Sequence, residues 1–245
     1  HIPKVTAPPP FSINRTFIEP YLGYYRWSNP GQLYSGFFDG LQNTFKLELD
    51  GEVLKANIIS KGSLQWQAAD SVGVYYRYEN AVNPRIVFLK DQNGNFAITD
   101  GTLYFKKNSA MRAWAPIILF VGSIVLLLSS VFWGLFNAIY LIFRKSARTH
   151  WLLKISPAFS VVGLLVIIKV IPRLFQQMQE SASMEISFFW WKAGLYIFTF
   201  FMLLTCIQLI FHWKNIKNKG LKLYLVSILL SGGYLISLFA VNHWY

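Results

Sequence analysis

The sequence predicts an α+β membrane protein in which a small antiparallel β-barrel is followed by a four-helix transmembrane bundle. Residues 116–143 carry no formal charge over 28 positions, which is long enough for a helix to cross a bilayer core of about 30 Å. The residues before this stretch form short apolar alternations separated by turn residues, a pattern typical of strands. Three further apolar stretches follow it. A soluble protein is the less favoured alternative, because long soluble helices carry charges on one face.

Composition divides the chain into a linker (1–20), an extracytoplasmic β-barrel domain (21–108) and a four-span transmembrane domain (109–245). Residues 3–10 are rich in proline, which favours extended backbone and resists helix formation. The chain begins at His1 without an initiator methionine or a signal peptide, although a domain outside the membrane needs export. We therefore expect this chain to be the C-terminal portion of a longer protein.

Residues 21–108 contain seven or eight predicted strands joined by short turns. The stretches recognised are 21–27, 44–49, 52–59, 72–78, 85–89, 95–99 and 102–106. Asp50 and Gly51 lie between two alternating stretches, which is a strong hairpin signal. We expect a meander that closes or half-closes into a barrel, because closure removes exposed strand edges.

Aromatic side chains are predicted to occupy the interior of this barrel. The candidates are Tyr24, Trp66, Tyr76 and Phe88, either as core residues or as the lining of a ligand cavity. Barrels of about eight strands either fill their interior with side chains or hold one small ligand. For a domain this short we expect a filled core, and a ligand cavity is the alternative.

Four apolar stretches are predicted to span the membrane. They are residues 116–143, 155–171, 188–213 and 223–241. Residues 116–245 carry 11 Lys or Arg and 2 acidic residues, and eight of these basic residues lie in loops 144–154 and 214–222. Basic loops remain on the cytoplasmic side of a membrane. Both loops are therefore predicted to be cytoplasmic, with the β-domain outside.

The second span is predicted to end at Pro172, and residues 176–187 are predicted to form a polar outer loop. Lys169 lies three residues before this proline. A charge inside a membrane indicates a functional site by default. Because its long stem can carry the ammonium group to the interface, we favour a purely interfacial position for Lys169.

Small residues recur at four-residue spacing on two of the spans. Ser130, Gly134 and Ala138 share one face of the first span, and Ser227 and Ser231 share one face of the fourth. Small side chains allow helices to approach closely in a membrane. We expect these faces to pack inside the bundle.

The sequence predicts no catalytic residue, no metal site and no cofactor in this chain. It contains no Ser-x-x-Lys, His-Glu-x-x-His or Gly-x-Ser-x-Gly motif, and Cys206 is its single cysteine. The net charge of +12 does not indicate a nucleic-acid partner, because most basic residues of the apolar half lie in two short loops. A transporter is disfavoured as well, because four spans with so few intramembrane charges offer little for a pathway.

Several short motifs carry a resemblance to a known family. They are Tyr-Leu-Gly-Tyr-Tyr-Arg at 21–26, the Asp50 and Gly51 turn, Pro-Arg-Ile-Val-Phe-Leu-Lys-Asp-Gln-Asn-Gly at 84–94, and Gly-Thr-Leu-Tyr-Phe-Lys-Lys at 101–107. Over residues 15–107 the chain resembles the lipocalin-like β-domain that follows the catalytic domain in many bacterial serine β-lactamase-like and penicillin-binding-protein-like hydrolases. Some members of that group continue into C-terminal membrane spans. The resemblance implies a lipocalin-like meander.

The resemblance also implies a non-catalytic accessory and membrane-anchor role at the cell envelope. The partners would be the lipid bilayer and an upstream serine hydrolase domain of the same polypeptide, at the bacterial cytoplasmic membrane. The family's catalytic motifs belong to that upstream domain, so no catalytic residue is transferred to this chain. The alternative is a membrane-tethered binding module whose barrel captures a small lipid or peptide ligand. An open, partly polar interior would favour this module, and a dry filled interior would favour the anchor.

Overall fold

The computed structural model describes residues 11–28, 36–58, 62–68, 74–77, 80–143, 151–180 and 185–241. The chain divides into two compact units, which comprise residues 1–117 and residues 118–245. The first unit holds the strands, and the second holds most of the long apolar helices. The finer division into linker, barrel domain and four-span domain remains a prediction.

In the described residues, the first unit contains eight strands that form one curled antiparallel sheet. They are β1 (Gly23–Trp27), β2 (Phe45–Asp50), β3 (Val53–Ile58), β4 (Gly62–Ala68), β5 (Val74–Arg77), β6 (Asn80–Lys90), β7 (Phe96–Thr99) and β8 (Tyr104–Asn108), with the short helices α1 (Arg15–Ile18) and α2 (Gly36–Gln42). Each strand pairs with the next, and β8 pairs with β1, which closes the sheet into a barrel. The antiparallel meander was predicted, whereas β4 and the two short helices were not.

Glycines at the predicted turns have the backbone conformation that these turns require. Asp50 pairs with Val53, so Gly51 and Glu52 alone form the loop of the β2–β3 hairpin. The φ of Gly51 is +63°, which lies in the left-handed region that two-residue hairpin loops favour. Gly101, in the turn between β7 and β8, has a φ of +92°. The hairpin predicted from the Asp-Gly pair is therefore confirmed.

Large apolar side chains from the first strands pack in the interior of the barrel. Tyr25 on β1, Leu47 on β2 and Leu54 on β3 are at most 1% exposed. The Tyr25 ring stacks on Phe45, with 5.5 Å between ring centroids. Its hydroxyl donates a hydrogen bond of 2.6 Å to the backbone carbonyl oxygen of Tyr21, so this buried polar group is satisfied.

Tyr25→Phe is expected to weaken the barrel and to change the response of its stability to alkaline pH. Burial, and secondarily the nearby Tyr21 phenol, raise the pKa of Tyr25 well above its usual value near 10. Above about pH 10 the Tyr25 hydroxyl loses its proton in the unfolded chain but keeps it in the folded barrel. The free energy of unfolding therefore falls as the pH rises above about 10. Removing the hydroxyl should cost about 1–2 kcal/mol at neutral pH and make that fall less steep. Urea unfolding of the full chain, followed by near-UV circular dichroism from neutral to alkaline pH, measures both effects; an unchanged pH dependence contradicts the prediction.

One end of the barrel is covered by residues 11–22, hereafter the N-terminal segment. It contains α1 and a 3₁₀-helix (Glu19–Tyr21). Ile18 is completely buried and Tyr21 is 6% exposed, and both belong to the barrel core. The Tyr21 ring lies 5.0 Å from that of Phe88, edge to face. Part of the stretch that the sequence assigned to a linker therefore contributes to the core.

Polar contacts attach the N-terminal segment to the β2–β3 hairpin. The backbone N–H of Ile13 donates to Glu52 Oε2 at 2.9 Å, and Arg15 lies 3.6 Å from the same carboxylate. The side chain of Asn14 accepts a hydrogen bond from the backbone N–H of Phe17 at 3.2 Å, which caps the N-terminus of α1. Because Glu52 lies in the hairpin loop, the segment lies across the end of the barrel where β2 and β3 are joined.

In the part of the chain that the structure describes, four long helices follow the barrel in sequence. They are α3 (Ala110–Phe143), α4 (Trp151–Glu180), α5 (Glu185–His212) and α6 (Lys219–Val241). Within them, the stretches Ala110–Tyr140, Trp151–Ile171, Ser187–His212 and Lys219–Val241 are long and apolar enough to cross a membrane. Each of the four predicted spans coincides with one of these helices.

The ends of α4 and α5 differ from the prediction around the predicted outer loop at 176–187. Helix α4 passes position 172 and continues to Glu180, and α5 begins at Glu185. Most of the predicted outer loop at 176–187 is therefore helical, and the second helix does not end at Pro172. Glutamine, methionine and glutamate have high helix propensity, and residues 176–180 consist of these types alone. Proline is also tolerated in the long helices of membrane proteins.

Candidate functional site

The interior of the barrel contains a cavity of about 430 Å³. Its described lining consists of nine apolar and two polar residues: Phe45, Leu47, Ile58, Leu64, Trp66, Ile86, Ile98, Leu103, Phe105, Asn43 and Asp100. This half of the barrel therefore has a cavity, which is the alternative to the filled interior that the sequence favours. The side chains of the N-terminal segment fill the other end, where Ile18 and Tyr21 enter the core.

The alternation of inward and outward side chains along each strand determines which residues line the cavity. On β2, Phe45 and Leu47 are buried, whereas Lys46 between them is exposed. On β4, Leu64 lines the cavity and the neighbouring Gln65 is exposed. Successive side chains of a strand point to opposite faces, so one residue of each pair is directed inward. Because the buried face is apolar, this alternation also specifies the strand register.

The cavity reaches solvent at the end of the barrel opposite the N-terminal segment. Asn43 lies just before β2 begins, and Asp100 and Leu103 lie in the turn from β7 to β8. In the antiparallel order these connections share the end at which β1 finishes. Asp100 is exposed to solvent and also lines the cavity. These three residues form the mouth of the cavity.

Hydrogen bonds fix the polar groups at the mouth. Asp100 Oδ1 accepts from the backbone N–H of Thr102 at 3.0 Å and from that of Leu103 at 2.6 Å. Asn43 Nδ2 donates to the backbone carbonyl oxygen of Asp39 at 2.9 Å. Within the described ranges, Asp100 is the one charged residue in the lining, and no three His, Cys, Asp or Glu side chains are grouped to hold a metal. The site is therefore an apolar cavity with hydrogen-bonding groups at its entrance.

The four aromatic residues singled out in the sequence occupy different places. Trp66 is 6% exposed and lines the cavity. Phe88 is buried in the core beside Tyr75, with 5.0 Å between ring centroids, and does not line the cavity. Tyr24 lies on the face of β1 opposite Tyr25, and its ring centroid is 5.9 Å from Lys46 Nζ. The side chain of Tyr76 lies outside the described residues.

Three of the five small residues predicted at helix contacts are buried in the structure, and the other two are half-buried. A Cβ atom placed on Gly134 would lie 2.6 Å from the Cβ of Ala158, so α3 and α4 approach closely there. Ser130 is buried and donates to the carbonyl oxygen of Leu127 at 2.6 Å. Ser231 is buried as well. The two remaining candidates, Ala138 and Ser227, are half-buried.

A close contact between the backbones of α4 and α5 involves residues that the sequence analysis did not single out. A Cβ atom on Gly163 of α4 would lie 2.5 Å from both the Gly194 carbonyl oxygen and the Phe198 backbone nitrogen of α5. Ser156 and Thr205 join the same helices through a buried hydrogen bond of 2.8 Å. The sequence signal for this contact on α4 was the series of small residues Ser156, Ser160 and Gly163.

Comparisons with known proteins provide no relative. The sequence matches no protein-family model. No curated protein and no solved structure is significantly similar to it. Nothing in these comparisons identifies a β-lactamase-like relationship, so the resemblance rests on the short motifs at 21–26, 50–51, 84–94 and 101–107 and remains a prediction.

Proposed function

We propose that this chain is a membrane-tethered binding module whose barrel takes up a small, mostly apolar ligand. The observation that carries the proposal is the cavity of about 430 Å³ inside the barrel. Ligand pockets in proteins have volumes of roughly 300–1,000 Å³, mainly apolar walls and a few polar groups that orient the ligand. The cavity has this volume, this kind of wall and two polar groups at its mouth.

The four apolar helices support the proposed tether. Each is long and apolar enough to cross a bilayer. Eight of the 11 basic residues after position 115 lie in loops 144–154 and 214–222, and basic loops are retained in the cytoplasm. The module would accordingly lie in a bacterial cytoplasmic membrane with both loops cytoplasmic and the barrel outside.

The cavity favours a binding module over the anchor predicted from the resemblance. A domain that only spaces a catalytic domain from the membrane gains nothing from an empty interior, because unfilled apolar space costs packing energy. A role beside a serine hydrolase remains a prediction from the short motifs. The binding proposal does not depend on that partner.

Leu64→Trp tests the proposal by filling the cavity. The full chain would be reconstituted in phosphatidylcholine nanodiscs, and binding of 1-adamantanol, a compact hydrocarbon cage with one hydroxyl, would be measured by equilibrium dialysis against empty nanodiscs. An indole at position 64 occupies the space in which the cage would lie, so binding should weaken by about tenfold or more. Wild-type protein that binds no more probe than empty nanodiscs would overturn the proposal.

Gln65→Trp is the matched control for this experiment. It adds an indole one position along β4, but on the outer face of the barrel, where Gln65 is exposed and pairs across from Lys55. We expect this variant to bind 1-adamantanol as the wild type does. Equal weakening in both variants would mean that a general disturbance of β4, and not occupation of the cavity, reduces binding.

A further inference from the structure

We propose that the mouth of the cavity selects ligands whose polar end donates hydrogen bonds, and discriminates against ligands that end in a carboxylate. The ligand class is an apolar body with an ammonium, amine or hydroxyl group at one end. This inference rests on the proposed binding function and specifies the chemistry of its ligand. It is carried by the two polar residues of the mouth, Asp100 and Asn43.

Asp100 presents only acceptor atoms to the cavity. A carboxylate has no hydrogen to donate, and it holds the one negative charge among the described lining residues. Its Oδ1 is used by the backbone N–H groups of Thr102 and Leu103. Its Oδ2 has no hydrogen-bond or ion-pair partner among the residues that the structure describes. That oxygen is therefore positioned to accept a hydrogen bond from a ligand.

Asn43 reinforces the same preference. Its amide nitrogen donates to the backbone carbonyl oxygen of Asp39, which takes up one of its two hydrogens and fixes the side chain. Asn43 Oδ1 remains as a second acceptor with no partner in the described part of the chain. Because Asn43 also keeps its second amide hydrogen as a neutral donor, the preference between ligand ends comes mainly from the Asp100 carboxylate, and the Asn43 oxygen adds a second acceptor for a ligand end with several donor hydrogens.

The charge at the mouth opposes a mismatched ligand. The other nine described lining residues are Leu, Ile, Phe and Trp and carry no charge, so Asp100 is the one charged group that a ligand meets in the described part of the cavity. A ligand carboxylate at the mouth would face Asp100, and like charges at short distance disfavour each other. A donor end would instead gain a charge-assisted hydrogen bond. The ligand is therefore expected to lie with its apolar body inward and its donor end at the mouth.

The simpler interpretation is that Asp100 only stabilises the β7–β8 turn. Its Oδ1 caps two backbone N–H groups, as the first residue of an Asx turn does. Asparagine can accept the same two hydrogen bonds through its own Oδ1. Asp100→Asn therefore keeps the turn and removes the charge, which separates a structural role from ligand selection.

The test uses three probes with the same hydrocarbon cage: 1-adamantylamine, 1-adamantanol and adamantane-1-carboxylate. Each would be dialysed against the full chain in phosphatidylcholine nanodiscs, with empty nanodiscs as the blank. We expect the amine to bind about tenfold or more tightly than the carboxylate, with the alcohol between them or close to the amine. In Asp100→Asn the ratio of amine to carboxylate affinity should fall to about threefold or less, because the charge is lost.

Asp91→Asn is the matched control. Asp91 lies in the β6–β7 turn at the opposite end of the barrel, and its Oδ1 likewise accepts two backbone N–H groups, from Asn93 and Asn95. The substitution removes the same charge without touching the mouth, so the affinity ratio should stay at the wild-type value. An equal fall in both variants would assign the selection to the overall charge of the barrel and overturn the inference.

The remaining outcomes separate this inference from the proposed function. If none of the three probes binds above the blank, the binding function itself is overturned. If all three bind equally to the wild type, the cavity binds ligands but the mouth does not select their polar end. A ratio that Asp100→Asn leaves unchanged likewise overturns the inference and restricts Asp100 to its structural role in the turn. The amine and alcohol affinities together distinguish a cationic ligand end from a neutral donor.

Discussion

Gly163→Leu is expected to separate α4 from α5 and to unfold the helical unit at lower denaturant concentration. A side chain at this position would begin 2.5 Å from backbone atoms of α5, and it would extend further into that helix. Backbone cannot move aside as a flexible side chain can, so the helices must move apart. That separation would also break the buried hydrogen bond between Ser156 and Thr205. We expect a loss of about 3 kcal/mol or more in the free energy of unfolding.

Gly233→Leu provides the matched control for this substitution. Gly233 is also helical, on α6, but a Cβ atom placed there meets nothing within 4 Å. Because leucine is a better helix former than glycine, this variant should be unchanged or more stable by about 0.5–1 kcal/mol. Titration with sodium dodecyl sulphate, followed by circular dichroism of the detergent-solubilised chain, compares the two. Equal midpoints for both variants would contradict the close contact at Gly163.

The parts of the fold that the sequence predicted are those that local residue patterns determine. The β2–β3 hairpin follows from Asp50 and Gly51, because few other residues adopt the left-handed conformation that its loop requires. The four helices follow from long uncharged stretches, because a bilayer core sets both the length and the polarity of a spanning segment. Neither inference needs knowledge of which distant residues are neighbours.

The parts that were missed depend on distant neighbours. Strand β4 carries two glutamines and only one strongly β-favouring residue, Trp66, so its own composition is a weak signal. It becomes a strand because β3 pairs along it, from Leu54 with Trp66 to Ile58 with Gly62. The Gly163–Gly194 contact is likewise a property of two helices together, and neither sequence stretch specifies its partner.

The sequence left open whether the barrel interior is filled or holds a cavity. Alternation predicts that Phe45 and Leu47 point inward, but the number of inward residues does not reveal whether they fill the interior. The outcome depends on the N-terminal segment, which fills one end with Ile18 and Tyr21 and leaves the other end to the cavity. That segment follows a proline-rich stretch, whose composition predicts a linker.

Ile18→Ala is the second substitution for which we expect a large effect. Ile18 is completely buried although it lies on a helix of only four residues, so its stability contribution comes from the barrel core and not from the helix. Truncating a buried isoleucine to alanine costs about 2–4 kcal/mol, because apolar contact is lost and a void remains. Hydrogen–deuterium exchange of the full chain in nanodiscs should show faster exchange in β1, β2 and β3.

Thr16→Ala is the control, because Thr16 lies on the same short helix and is exposed. Its effect on the free energy of unfolding should stay within about 0.5 kcal/mol, as for other exposed positions. If Ile18→Ala exchanges no faster than Thr16→Ala, the N-terminal segment only lies on the barrel and does not complete its core. If Ile18→Ala also weakens adamantanol binding while Thr16→Ala does not, then the segment that closes one end supports the cavity that opens at the other. The barrel would then act as one cooperative unit, in which core residues outside the sheet stabilise the strands that line the cavity.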